Sequence, residues 1–185
     1  MQWLLKKLTP LSPVTTVVAA EPSTVFDVLT DYDNYLEWFP QITHSKLLVK
    51  EGDDLAIAEF GFDQPKDSKL TVECIHTKDE LVLQRKIAGN TPLSRVQWNL
   101  ASEGSKTRIT LKTELDFANW RVALPGVSTS FVPQMLMGCL EGRLNAFASE
   151  LGTEGGRKFL EIIETNDCLE VYFLGRKYKL VPMDE

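Results

Sequence analysis

Three polar side chains in this chain fall on otherwise apolar strand faces, and they are the residues best placed to do chemistry. Arg85 shares the parity of Leu81, Leu83 and Ile87. Glu59 shares that of Leu55 and Ile57, and His76 that of Leu70, Val72 and Cys74. Side chains alternate faces along a strand, so this spacing predicts a guanidinium, a carboxylate and an imidazole turned toward the buried side. A buried polar group needs a partner or a ligand. Arg85, Glu59 and His76 are therefore candidates to fix the polar head of a bound molecule, with Arg85 as the principal anchor. The competing reading is structural. One bulge reverses the parity and turns these groups to solvent, or Arg85 and Glu59 pair with each other.

His76, Glu59 and Tyr35 are also of the types that serve general acid–base catalysis. Their spacing marks no nucleophile with its base. There is no GxSxG, and Cys74 and His76 are simply two apart on one strand. His44, beside Lys46, falls on the expected exposed face. The chain has two histidines and three scattered cysteines, Cys74, Cys139 and Cys168, without a CxxC. A His-rich metal site and a disulfide framework are both unsupported. Phosphate-loop and dinucleotide glycine patterns are absent. The expectation is no catalytic set, no metal and no cofactor.

The elements that must hold these groups are mostly short strands. Val14–Ala20 is a β-branched run. Pro22 then opens a short helix over Ser23–Thr30, and Tyr35, Trp38 and Phe39 make a second that Pro40 stops. Six further strands follow with turn signals between them: Ile42–Lys50, Leu55–Phe62, Lys69–Thr77, Leu81–Ile87, Ser94–Ser102 and Lys106–Phe117. In the last of these, Ile109, Leu111, Leu115 and Phe117 share one face, so one side of the sheet is buried and the other wet. One long helix comes next, near Val132–Leu151, with Leu136, Leu140, Leu144, Phe147 and Leu151 on one stripe and Gly152 past its end. The fold class is thus α+β: a curved seven-stranded antiparallel sheet around a long C-terminal helix, in β-α-α-β6-α order.

A curved sheet and a straight helix diverge at one end, and the gap between them is the expected cavity. Gly138 and Gly142 lie inside the helix, where each costs about 1 kcal/mol relative to alanine. They either leave room for a ligand or allow close packing on the sheet. Met135 suits an adaptable pocket wall or ordinary core. Trp98 and Cys139 complete the expected lining. Phe62 on one side, and Trp120, Leu124 and Pro125 on the other, sit in or beside loops and form candidate gates, or they pack on the core edge.

The 185 residues suffice for one domain with an appendage, and 43% hydrophobic with 25% charged residues is ordinary for a soluble globular protein. The net charge is −6, against a nucleic-acid partner. The cysteine pattern makes a reducing cytoplasm the expected location. No apolar run approaches the roughly 20 residues of a membrane span. The N-terminal MQWLLKKL lacks the form of a signal peptide. Trp3, Leu4, Leu5 and Leu8 beside Lys6 and Lys7 suit either transient membrane contact or, the favoured reading, packing on the domain or fraying. The chain divides into a tail (1–13), a ligand-binding domain (14–152) and an extension (153–185). The extension reads as three short strands, Phe159–Glu164, Leu169–Leu174 and Tyr178–Val181, or with a helix over Arg157–Glu164. A small hairpin is marginal alone, so it must pack on the main domain or pair with a second copy as a homodimer.

The segment Ala19–Leu48, a strand meander and a final amphipathic helix together resemble the START-like, Bet v 1-like helix-grip superfamily. Within it the chain is most similar to the polyketide cyclase/dehydrase and coenzyme Q-binding group. The local signature is DYDNYLEWFP, Asp31–Pro40, in a D-x-x-x-Y-x-x-(W/F)-x-P pattern. The resemblance covers about Val14–Leu151. It implies the helix-grip fold and a lipid, quinone, polyketide or other apolar ligand. Members of the family include binding proteins, enzymes and ribosome-acting proteins. The leading expectation is non-catalytic binding of an apolar or amphipathic small molecule. The alternatives are a polyketide cyclase or dehydratase, and a ribosome- or protein-interaction module.

Overall fold

A computed structural model of the chain describes residues 9–62, 68–116, 131–149, 160–164, 169–173 and 176–180. The chain starts with two short strands, β1 (Thr9–Pro10) and β2 (Val14–Val18). Helix α1 (Pro22–Thr30) follows, with Pro22 in its first turn, where a missing N–H leaves no bond unmade. A 3-10 helix, Tyr32–Glu37, comes directly after it and carries two buried tyrosines, Tyr32 and Tyr35.

Six strands then form a continuous antiparallel meander: β3 (Ile42–Glu51), β4 (Leu55–Phe62), β5 (Ser68–Thr77), β6 (Leu81–Gly89), β7 (Leu93–Glu103) and β8 (Lys106–Leu115). The order across the sheet is β1-β8-β7-β6-β5-β4-β3, with β2 also on β8. Strands β1 and β2 occupy successive stretches of one edge, since Thr9 pairs with Leu115 and Val14 with Leu111. The Leu11 amide donates to Thr113 O between them, at 2.9 Å. The sheet is therefore seven strands wide. Register shifts in β3 against β4, in β5 against β6 and in β7 against β8 bend it, as bulges do.

The long helix is α2 (Phe131–Ser149), and it packs against β2 and β8. Leu136, Met137, Cys139, Leu140 and Leu144 bury their side chains in the same core as Val25, Leu29, Tyr32, Ile109 and Leu111. Two polar ties hold it. Thr16 on β2 donates to Glu141 Oε1 at 2.5 Å, and Arg143 pairs with Glu37 of the 3-10 helix. The α+β helix-grip architecture expected from the strand and helix pattern is the one observed.

Residues near the C-terminus form a second sheet, β9 (Leu160–Glu164), β10 (Leu169–Phe173) and β11 (Arg176–Leu180), antiparallel in the order β11-β10-β9. Leu160–Glu164 is thus strand and not the alternative helix. Among the described residues no helix is long and apolar enough to cross a membrane.

Candidate functional site

The concave face of the sheet is best read as cross-strand rows. One row runs Val14, Leu111, Trp98, Val82 and His76. The next runs Thr113, Val96, Gln84, Cys74 and Ala56. A third includes Lys86, Val72, Ala58 and Leu47. Apart from Val14, Leu47, His76 and Lys86, which are partly covered, all of these are buried. The face is apolar and built of small residues toward β4, with polar groups set into it at particular points.

Each polar group has a distinct situation. Gln84 Nε2 donates to the Tyr35 hydroxyl at 3.0 Å, and that hydroxyl donates in turn to Leu29 O at 2.6 Å. Lys86 Nζ donates to Thr91 O at 2.7 Å. Thr113 is 1% exposed, and its Oγ1 has no hydrogen-bond partner among the described residues. Thr91 Oγ1 is likewise buried without one. Most buried polar atoms in folded proteins are paired, and an unmade bond costs about 1–3 kcal/mol.

His76 is on the inner face, as its parity predicts. Its Nδ1 lies 3.2 Å from Asp53 O, and a carbonyl only accepts, so that nitrogen carries the proton. Its Nε2 then accepts from the Tyr32 hydroxyl, 2.7 Å away. Burial holds the His76 pKa below the usual histidine value, against the opposing pull of the Asp53 bond. Burial, reinforced by neighbouring Tyr35 and Cys74, pushes the Tyr32 hydroxyl far above the usual phenol range. The pair therefore stands as a neutral imidazole held by a neutral phenol. Both ring nitrogens are engaged, which leaves no lone pair for general base catalysis without breaking the pair. His76 and Tyr32 also form the floor of a pocket of about 310 Å³, with Phe26, Thr30, Lys50 and Asp53 among its walls.

The proposed trio does not converge. Arg85 is exposed on the outer face and ion-pairs with Glu73, its cross-strand partner. Glu59 lies on the outer face too, 3.4 Å from His44 Nε2. Both expectations chose the wrong side of the sheet for one physical reason. Leu55, Ile75 and Leu83 pair across three strands on the outer face and cover one another, so the apolar parity there is not the core parity. On β6 the inward residues are Val82, Gln84 and Lys86. The cation facing inward is Lys86, one position beyond Arg85. Tyr35 is fully bonded within the core and reaches neither Glu59 nor His76.

Of the remaining candidates, Trp98 and Cys139 are buried in the core, and Met135 packs against it. Gly138 and Gly142 are partly covered on α2, and Phe62 packs on the core at the end of β4. Trp120, Leu124 and Pro125 lie outside the described residues. Burial pushes the Cys74 thiol up to about 11 and that of Cys139 up to about 12, so neither is a ready nucleophile. Among the described residues no group of three or more His, Cys, Asp or Glu side chains is arranged to hold a metal. A second, shallow groove of about 980 Å³ lies between the Glu21–Ser23 start of α1, the Thr77–Leu81 turn and the Asn99–Gly104 stretch; no described side chain of α2 lines it or the His76 pocket.

Residues 13–152 match the family described as polyketide cyclase / dehydrase and lipid transport. The chain belongs to that family. Solved structures agree on the fold. A START superfamily protein from Mycobacterium smegmatis is 16% identical, with a TM-score of 0.57 over 75% of this chain and 99% of that one. An 18 kDa protein from Caulobacter crescentus is 22% identical, with a TM-score of 0.58 over 76% and 99%. The Zhui aromatase/cyclase from Streptomyces sp. R1128 is 15% identical, with a TM-score of 0.55 over 81% and 99%. At these identities the likeness is one of fold. A search of curated proteins gave no match. The matched residues hold both the sheet and the long helix that packs on its inner side. Thr113 and Lys86, which face that side of the sheet, were not among the candidates read from sequence. Thr113 shares the parity of Ile109 and Leu111, so its signal was present; the parity of Lys86 is legible only once Gln84 is seen opposite buried Cys74.

Proposed function

We propose that this protein binds an apolar or amphipathic small molecule between the concave face of the sheet and α2, and does no chemistry on it. The observation that carries the reading is Thr113: a buried hydroxyl on β8, a strand that α2 packs against, without a partner among the described residues. A core closed for stability alone would be expected to pair that group or replace it. A ligand carrying a polar atom would pair it. Membership of a family whose description includes lipid transport points the same way. The engaged nitrogens of His76, and the separation of His76 from Glu59 and Tyr35, favour a carrier over a cyclase or dehydratase. In this reading residues 14–152 form the ligand-binding unit and 153–185 an extension, and lipids and quinones are the first ligand classes to try.

The test is native mass spectrometry of the protein from its own host, followed by denaturing extraction. A stoichiometric apolar molecule is expected. A protein that is empty, and stays empty after incubation with host lipid and quinone extract, contradicts the carrier reading.

A further inference from the structure

We infer that the ligand carries an anionic head, a carboxylate, and that Lys86 with the hydroxyls of Thr91 and Thr113 receives it. This rests on the carrier reading and adds the chemical class and orientation of the ligand. Three observations converge. Lys86 has the inward parity of Val82 and Gln84, and it is partly buried where a surface lysine would be free. Its ammonium has three N–H donors, and its one partner among the described residues is the Thr91 carbonyl. Among the described residues no carboxylate ion-pairs with it, although Arg85, Arg95 and Arg108 on the same sheet all have acidic partners.

The second observation is that the two buried threonine hydroxyls without a partner among the described residues lie at this end of the sheet. Thr91 is the residue to which Lys86 already bonds. Thr113 lies in the row next to that of Lys86, joined to Gln84 through Val96. Thr91 is 7% exposed and Thr113 1%. A cation with spare donors and two buried hydroxyls at the same end of the inner face make a set suited to a carboxylate, which only accepts hydrogen bonds. The third observation is what stands on the other side. The acidic residue of β8, Glu114, has the outward parity and pairs with Arg95. Lys86 is the charged side chain of its row on the inner face, with Val72, Ala58 and Leu47.

The tail then runs along the sheet toward the row of Val82, Trp98 and Leu111. From Lys86 to Val82 is four residues, or roughly 13 Å at about 3.3 Å per residue. Leu140 and Met137 of α2 are buried in the same core and would cover it.

Nile red, which is uncharged, is the reporter, and dodecanoate and dodecan-1-ol are the competitors. Both displace it from the wild-type chain if the carrier reading holds. The ratio of the two displacement constants is then compared in Lys86→Gln and Lys86→Arg. A charge-assisted bond of ordinary strength predicts that Lys86→Gln shifts the ratio about tenfold against dodecanoate, while Lys86→Arg keeps it. An unchanged ratio in Lys86→Gln overturns the head-group assignment and leaves the carrier reading standing. Failure of the wild type to bind Nile red or either competitor overturns both. A measurement on the wild type alone guards against a variant that does not fold. Dodecanoate, and not dodecan-1-ol, is expected to protect Lys86 from acetylation by acetic anhydride, read by peptide mass; equal labelling in both cases also overturns the assignment.

Discussion

Replacing Thr113 by valine separates a group kept for a ligand from one kept for the fold. Thr113 lies on the buried face of β8, a strand that α2 packs against, and its hydroxyl has no partner among the described residues. An unmade hydrogen bond at a buried site costs about 1–3 kcal/mol, and valine has nearly the shape of threonine without the polar atom. Thr113→Val should therefore stabilise the ligand-free protein, by about 1 kcal/mol at the low end of that range. For a chain of this length that is a rise of about 2–4 °C in Tm. The same change removes a bond to the ligand and should weaken binding about fivefold, the equivalent of about 1 kcal/mol. The assay is urea unfolding of extracted, ligand-free protein, followed by tryptophan fluorescence with buried Trp98 as one reporter. It is paired with titration of the molecule recovered from the host. Destabilisation of the ligand-free protein by about 1 kcal/mol or more would refute the reasoning, because the hydroxyl would then have a partner in the empty fold.

Arg85→Ala should change stability by less than about 1 kcal/mol and leave ligand binding unchanged, since it removes an exposed pair with Glu73; binding titration and urea midpoints read both. His76 has a depressed pKa in the fold, so the unfolded chain takes up the proton first as pH falls. Its contribution is complete above the ordinary histidine pKa of about 6.5 and is lost as pH falls from there toward the lowered folded value. The wild type should thus lose more stability than His76→Gln between pH 7.5 and 5.5, in parallel urea titrations. Gly89 has φ of +110°, and a Cβ there would lie 2.1 Å from Lys69 O. Gly89→Ala should cost more than about 2 kcal/mol in urea unfolding, because strain and a backbone clash add.

The fold was legible because its signals are local and repeated. The alternation of Ile109, Leu111 and Leu115 in β8 gave the buried face directly, and Leu136, Leu140 and Leu144 gave the stripe of α2. Pro22 and Pro40 bounded the two short helices between the first strand and the meander. The site was legible only in part. His76 was placed on the inner face because its neighbours Leu70, Val72 and Cys74 are buried and alternate cleanly. Arg85 and Glu59 were misplaced because β4 and β6 carry apolar residues on both faces, and the strand alone cannot say which face is the core. That choice is made by cross-strand register, in which Gln84 stands opposite Cys74 and Val96. The partnering of Thr113 and Thr91 was not legible at all, since an unmade hydrogen bond depends on every neighbouring atom.

The central claim is where the ligand lies, and isotope-filtered NMR locates it. Uniformly ¹³C-labelled protein is loaded with the unlabelled molecule recovered from the host, and intermolecular NOEs are collected to protein methyl and aromatic protons. The account predicts NOEs to Thr113, Trp98, Met137 and Leu140. NOEs confined to Phe26, Thr30 and Leu47, around the His76 pocket, would contradict it and place the ligand on the far side of Tyr32.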